Sequence, residues 1–181
     1  LIEFERKFAK LIGTKYAVGV NSGTDAIKLS LKTLDVKQGD EIITAANTFV
    51  ATIGAIVELG AKPVFVDCDD TFCMNVEQVE KKITRKTKAI VPVHFTGYMT
   101  DMVKLKTISK KYKVPIVEDA CQSILGSINK KNAGTWGEFG AFSLHPLKNI
   151  NVWSDGGIIT TNNKNFYKKL LLLRNHGLVD R

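Results

Sequence analysis

A chain of 181 residues, 44% hydrophobic and 24% charged, is long enough to bury one substantial core and has the composition of an ordinary globular protein. No apolar run approaches the roughly 20 residues needed to cross a bilayer, which excludes a spanning helix and a membrane partner. The formal charge of +8 comes from lysines scattered through helical segments, with clusters such as Lys81-Lys82 and Arg85-Lys86 that lack interleaved aromatics. That is the pattern of a solvated surface rather than a nucleic-acid face, and it suits an anionic small substrate.

In chain order, the sequence opens inside a helical pattern (Ile2, Phe4, Phe8, Ala9, Leu11, Ile12), as if further residues preceded it, and shows no secretory signal. Short β-branched runs then alternate with amphipathic stretches. Strands are expected over 17–20, 41–44, 63–66, 89–93, 115–117, 141–144 and 157–161, and helices over 24–34, 50–59, 75–82, 101–112 and 165–175. Asp101 suits a helix N-cap and Gly60 a helix end. The runs AIVPV and PIVED are nearly unbroken apolar, as in strands covered on both faces, so the fold class is α/β with a mostly parallel, seven-stranded sheet sandwiched by helices. There is no repeat or linker, which makes one domain over 1–181.

Ligands of such sheets sit beyond the carboxyl ends of the strands. After the first strand comes Asn21-Ser22-Gly23-Thr24-Asp25-Ala26, a small-residue turn opening a helix. It offers free N–H groups and a positive dipole end to an anion, and reads equally as a plain helix cap. The strand PIVED delivers Glu118 and Asp119, carboxylates that are costly to bury without a cation or a helix N-terminus. The most specific stretch is Gly140-Ala-Phe-Ser-Leu-His-Pro-Leu-Lys148-Asn149. Here Pro146 breaks the strand after Ser143 and leaves Lys148 in a loop between Leu147 and Ile150. A lysine sheltered from water becomes a nucleophilic amine of the kind that condenses with aldehydes. The cysteines Cys68, Cys73 and Cys121 have no metal-ligand spacing with the three histidines, so no metal is expected. They read as small buried hydrophobes in a reducing cytoplasm.

Taken together, FERKFAKLIG, YAVGVNSGTDAIKLSL, GDEIITAANTFVATIGAIVELGAKPVFVD, VPVHFTGYMTDM, PIVEDACQSILGS, FGAFSLHPLKNI, DGGIITTN and RNHG resemble, in order and over the whole chain, the DegT/DnrJ/EryC1/StrS family of sugar aminotransferases. The resemblance implies the large domain of the aspartate-aminotransferase fold and a pyridoxal 5'-phosphate cofactor carried on Lys148. It further implies that Gly23, Thr24, Asp25 and Ser143 meet the cofactor phosphate, and that Asp119 pairs with the pyridinium nitrogen. Gln122 then lies by the phenolic oxygen and Phe49 against the ring. His94, in VH-x-x-G, is left without a role, a structural histidine being an equal reading.

By the same resemblance the activity is transfer of an amino group, from glutamate in the first instance, to a nucleotide-linked keto-sugar in surface polysaccharide or amino-sugar synthesis. The active site would be completed by the partner subunit of a homodimer. Family members extend beyond both ends of this sequence, so 1–181 corresponds to a PLP-binding large domain without its small domain. Two alternatives stay open: a dehydratase of the same family, which carries histidine in place of Lys148, and a regulator or sensor that keeps the fold. The family's lysine at 148 and the full Lys, Asp, Gln and Ser set favour transfer, with His145 nearby as the one discordant residue.

Overall fold

The computed structural model describes residues 1–179; Asp180 and Arg181 lie outside the described residues. The elements run α1 (Ile2–Ile12), β1 (Tyr16–Val20), α2 (Gly23–Thr33), β2 (Glu41–Ala45), α3 (Val50–Val57), β3 (Lys62–Val66), α4 (Val76–Lys82), β4 (Thr87–Val91), α5 (Met102–Tyr112), β5 (Val117–Asp119), β6 (Ser127–Ile128), β7 (Lys131–Asn132), β8 (Phe139–Ser143), β9 (Gly157–Thr161) and α6 (Lys164–Arg174). Short polar side chains start the helices where expected. Ser22 Oγ accepts from Asp25 N at 3.1 Å, and Asp101 Oδ1 accepts from Lys104 N at 3.0 Å. The helix α3 stops at Val57, and Gly60 then closes a tight turn back onto it through Gly60 N to Val57 O at 2.8 Å.

The sheet is parallel except for β9, which runs against both β1 and β8. It is not one continuous ladder of seven. A four-stranded sheet (β1-β9-β8-β5) and a three-stranded sheet (β3-β2-β4) lie edge to edge, joined through the isolated bridges Ile90–Ile116 and Val93–Asp119. The prolines explain the seam. Pro92 and Pro115 have no N–H to give the ladder, although their carbonyls still accept from Asp119 N and Ile90 N, each at 2.9 Å. The same proline moves β5: the expected strand over 115–117 begins at Val117, because Ile116 N bonds the Glu138 carboxylate at 2.6 Å instead. Asp119 is therefore inside the strand. The hairpin β6–β7 was not expected; it pairs only Ser127–Asn132 and Ile128–Lys131.

Successive strand residues point to opposite faces, which divides the core in two. Ile43, Ile90, Phe142 and Ile158 pack under α1, α4 and α5, while their neighbours Ile42, Ala89, Ala141 and Ile159 pack under α2, α3 and α6. Burying each such side chain stabilises the fold by roughly 1.5–3 kcal/mol before chain entropy is subtracted. At one corner the buried Glu5 of α1 accepts from Gly19 N of β1 at 2.6 Å and pairs with Arg174 of α6, tying the first and last helices to one strand.

Candidate active site

The carboxyl ends of β1, β2, β4, β5 and β8 open to the same side, and the residues just beyond them line a cavity of about 270 Å³. One wall is the start of α2. Helix geometry leaves the N–H groups of Gly23 and Thr24 without intrahelical acceptors. Ser143, at the end of β8, comes so close that a Cβ on Gly23 would lie 2.8 Å from Ser143 Cβ and 2.9 Å from Cys121 Sγ. Gly157 presses from β9: a Cβ there would sit 2.1 Å from Ser22 O. Only glycines allow this approach, and the result is a cradle of N–H and hydroxyl donors for an anion. Asp25, expected in the same set, is not among the residues that line the cavity. Its N–H is engaged by Ser22 Oγ, and its carboxylate turns away to Lys28 at 2.9 Å, raising that lysine above its ordinary value.

The middle of the cavity is formed by β5. Asp119, 6% exposed, accepts at Oδ2 from Thr52 Oγ1 at 2.7 Å and at Oδ1 from Cys121 N at 3.2 Å. Beside it the half-buried Cys121 has its thiol pushed well up, first by burial and then by the Asp119 carboxylate, with Lys148 pulling the other way. Gln122 Oε1 accepts from Thr96 N at 2.8 Å, which leaves the amide NH₂ as the donor to the cavity. Asp119's neighbour Glu118 faces the other side of the strand. It is fully buried and accepts from His94 Nε2 at 3.0 Å and from the backbone N–H of Gly134 (2.9 Å), Trp136 (2.7 Å) and Gly137 (2.8 Å). His94 is thus the anchor of a buried carboxylate and forms part of the cavity wall at the same time.

Lys148 lines the same cavity as Asp119, from the loop that joins β8 to β9. The loop is shaped by Lys148 N to His145 O at 2.8 Å, Leu147 N to His145 Nδ1 at 3.1 Å and Val152 N to Leu144 O at 2.9 Å. The shelter expected from Leu147 is not there: Leu147 is 87% exposed and Lys148 only half-buried, the lysine's surroundings being the cavity wall rather than flanking apolar groups. Phe49 caps α3 and lines the cavity while remaining 66% exposed, a flat face open to solvent. Of the cysteines only Cys73 is fully buried; Cys68 and Cys121 are partly exposed, against the expectation for all three.

The cavity therefore brings together Gly23, Thr24, Phe49, Asp119, Gln122, Ser143 and Lys148, and leaves out Asp25. It also gathers His145, noted beside Lys148 in the sequence, and Thr48, Thr52 and Asp155, which the sequence reading passed over. The two threonines meet across the start of α3, Thr48 lying just before its N-cap Phe49 and Thr52 in its first turn. The set of groups is that of a site for a flat, phosphorylated aldehyde with a basic ring nitrogen: anion cradle, acid, amide, amine and apolar face.

A parallel α/β sheet with this cavity at its strand ends is the large domain of the aspartate-aminotransferase fold. The family model for the DegT/DnrJ/EryC1/StrS aminotransferase family matches residues 1–181, and the chain belongs to that family. It is 42% identical over 174 residues to the UDP-N-acetyl-3-dehydro-alpha-D-glucosamine 3-aminotransferase of Acidithiobacillus ferrooxidans, covering 96% of this chain and 47% of that one. Among solved structures, S. venezuelae DesV superposes with a TM-score of 0.96 at 38% identity, covering all (100%) of this chain and 49% of that one. A GDP-4-keto-6-deoxymannose-3-dehydratase with a trapped PLP-glutamate geminal diamine superposes with a TM-score of 0.91 at 34% identity, covering 97% and 47%. The chain spans about half the length of the curated relatives it matches.

Proposed function

We propose that this chain is the pyridoxal phosphate-binding part of an enzyme that moves an amino group from an amino acid, glutamate in the first instance, to a nucleotide-linked keto-sugar. The observation that carries the proposal is the placement of Lys148 and Asp119 on one cavity whose end is a donor cradle at Gly23, Thr24 and Ser143. When bound, pyridoxal phosphate supplies an aldehyde that exchanges amines and a ring that withdraws electrons from the reacting carbon. Lys148 would hold the cofactor through its amine and, as a free amine, would accept and return the proton at the substrate carbon. Asp119 keeps the ring nitrogen protonated, since a carboxylate within hydrogen-bond reach favours the charged form at about 1.4 kcal/mol per pKa unit. Gln122 donates its free NH₂ toward the phenolic oxygen, and Phe49 covers one ring face.

The neighbouring reading is removal of a sugar hydroxyl, favoured by the likeness to the dehydratase structure. Lys148, in the position where the family's dehydratases carry histidine, supports transfer. The proposal includes a cytoplasmic homodimer that closes over the exposed Phe49 and Leu147 at the cavity mouth; among the described residues no helix is long and apolar enough to cross a membrane. The test is an absorbance titration with pyridoxal phosphate followed by glutamate. A visible band that converts to the amine form is expected, and Lys148→Ala should abolish it. A band of undiminished strength in that variant would remove the lysine from its role.

A further inference from the structure

Asp119 does not stand alone in the cavity. Its Oδ2 accepts from Thr52 Oγ1 at 2.7 Å, and Thr52 Oγ1 lies 2.7 Å from Thr48 Oγ1. An ionised carboxylate can only accept, so the Thr52 proton is committed to Asp119. Thr52 must then accept from Thr48, whose other acceptor, Phe49 O, is a distant 3.4 Å. The proton order is therefore fixed, from Thr48 to Thr52 to Asp119. Helical hydroxyls elsewhere in this chain do something else. Those of Ser30, Thr33 and Thr107 bond the carbonyl four residues back, the local habit of serine and threonine in helices. Thr52, 1% exposed and in the first turn of α3, where no helical carbonyl lies four residues back, bonds a partner 67 residues away in sequence. A buried hydroxyl aimed out of its helix at an acid is a specific arrangement, and it comes from the same helix start that presents Phe49.

We propose that Thr52, backed by Thr48, is a positioning residue that fixes the orientation of the Asp119 carboxylate, and through it sets the protonation of the cofactor ring nitrogen. The inference rests on the cofactor assignment above. Donation by a hydroxyl stabilises the carboxylate over the carboxylic acid, and a pinned Oδ2 leaves Asp119 one rotameric position from which to meet a ring N–H. Because Phe49 and Thr52 share the first turn of α3, a shift of that turn moves the ring's apolar face and its acid together.

The experiment uses ¹⁵N-labelled pyridoxal phosphate bound to the wild-type chain and to Thr52→Val, Thr52→Ser and Thr48→Val, reading the ring-nitrogen chemical shift and the cofactor dissociation constant. Wild type and Thr52→Ser should show a protonated ring nitrogen. Thr52→Val, nearly isosteric, should move the shift toward the neutral form and raise the dissociation constant at least about tenfold, the scale of one lost charge-assisted hydrogen bond. Thr48→Val, which leaves the buried Thr52 in place, should move the shift in the same direction by less. Ring-nitrogen shifts identical to wild type in both valine variants would overturn the inference while leaving the cofactor assignment intact, and so would a Thr52→Ser variant that behaves like Thr52→Val. Failure of the wild-type chain to bind the cofactor at all would sink the assignment and the inference with it.

Discussion

Glu118 and Asp119 are neighbours on one strand, both buried, and they sit in opposite worlds. Glu118 faces the β7–β8 connection, whose three backbone N–H groups, together with His94, use up its acceptor capacity. Asp119 faces the cavity with a hydroxyl and one N–H, so part of its capacity is unspent. A carboxylate surrounded by donors is architecture, since it stitches the 134–137 segment to the sheet. One with unspent lone pairs at a cavity is available for chemistry. Burial alone does not separate the two; counting donors does.

The comparison can be broken by substitution. Glu118→Ala should be the most damaging, at about 3–5 kcal/mol in urea unfolding, because it leaves buried donors without a partner. Glu5→Ala should cost about 2 kcal/mol by the same measurement, since it removes the acceptor for Gly19 N and Arg174 at a corner where the arginine is partly solvated. Gly157→Ala, which forces Ser22 O to move, should cost about 1–3 kcal/mol and weaken pyridoxal phosphate binding in the absorbance titration. Asp119→Asn should cost less than about 1 kcal/mol of stability, because the amide oxygen still accepts from one donor, while the rate of cofactor conversion by glutamate falls steeply. A larger unfolding cost for Asp119→Asn than for Glu118→Ala would reverse the division between the two faces.

The smallest effect concerns Cys121, which reads the charge on the Asp119 side. Its raised thiol value means the folded state favours the protonated form. That support is complete below the ordinary thiol value and is lost as the pH climbs through the raised one, so it is an alkaline effect only. At pH 8 Cys121 should be alkylated about tenfold more slowly than the partly exposed Cys68, as counted by mass spectrometry of peptides. Faster reaction at Cys121 would mean that Lys148, not Asp119, dominates its surroundings.

The alternation of β-branched runs and amphipathic stretches was enough to place most elements, because each strand of a parallel sheet carries its own apolar run and each crossover its own helical period. The seam at Pro92 and Pro115 was visible in principle, since neither residue can donate. The site was legible where function concentrates in local turns, at Ser22-Gly23-Thr24 and around Lys148. It was illegible where a contact joins distant segments: Thr52 meets Asp119 and His94 meets Glu118 across gaps that no local pattern encodes. Asp25 lies outside the cavity lining for a plainer reason, since a residue in a helix's first turn can just as well face the helix's own lysine as a ligand. The pleat sends the adjacent Glu118 and Asp119 to opposite faces, so only one of the two could reach the cavity.

The seam has one more consequence. Thr48, Phe49 and Thr52 follow β2 of the three-stranded sheet, whereas Gly23, Asp119, Ser143 and Lys148 belong to the four-stranded one, so whatever fills the cavity is gripped from both sheets at once. An occupant is then a crosspiece over the weakest joint of the framework, and by mass action the melting temperature should climb with its concentration.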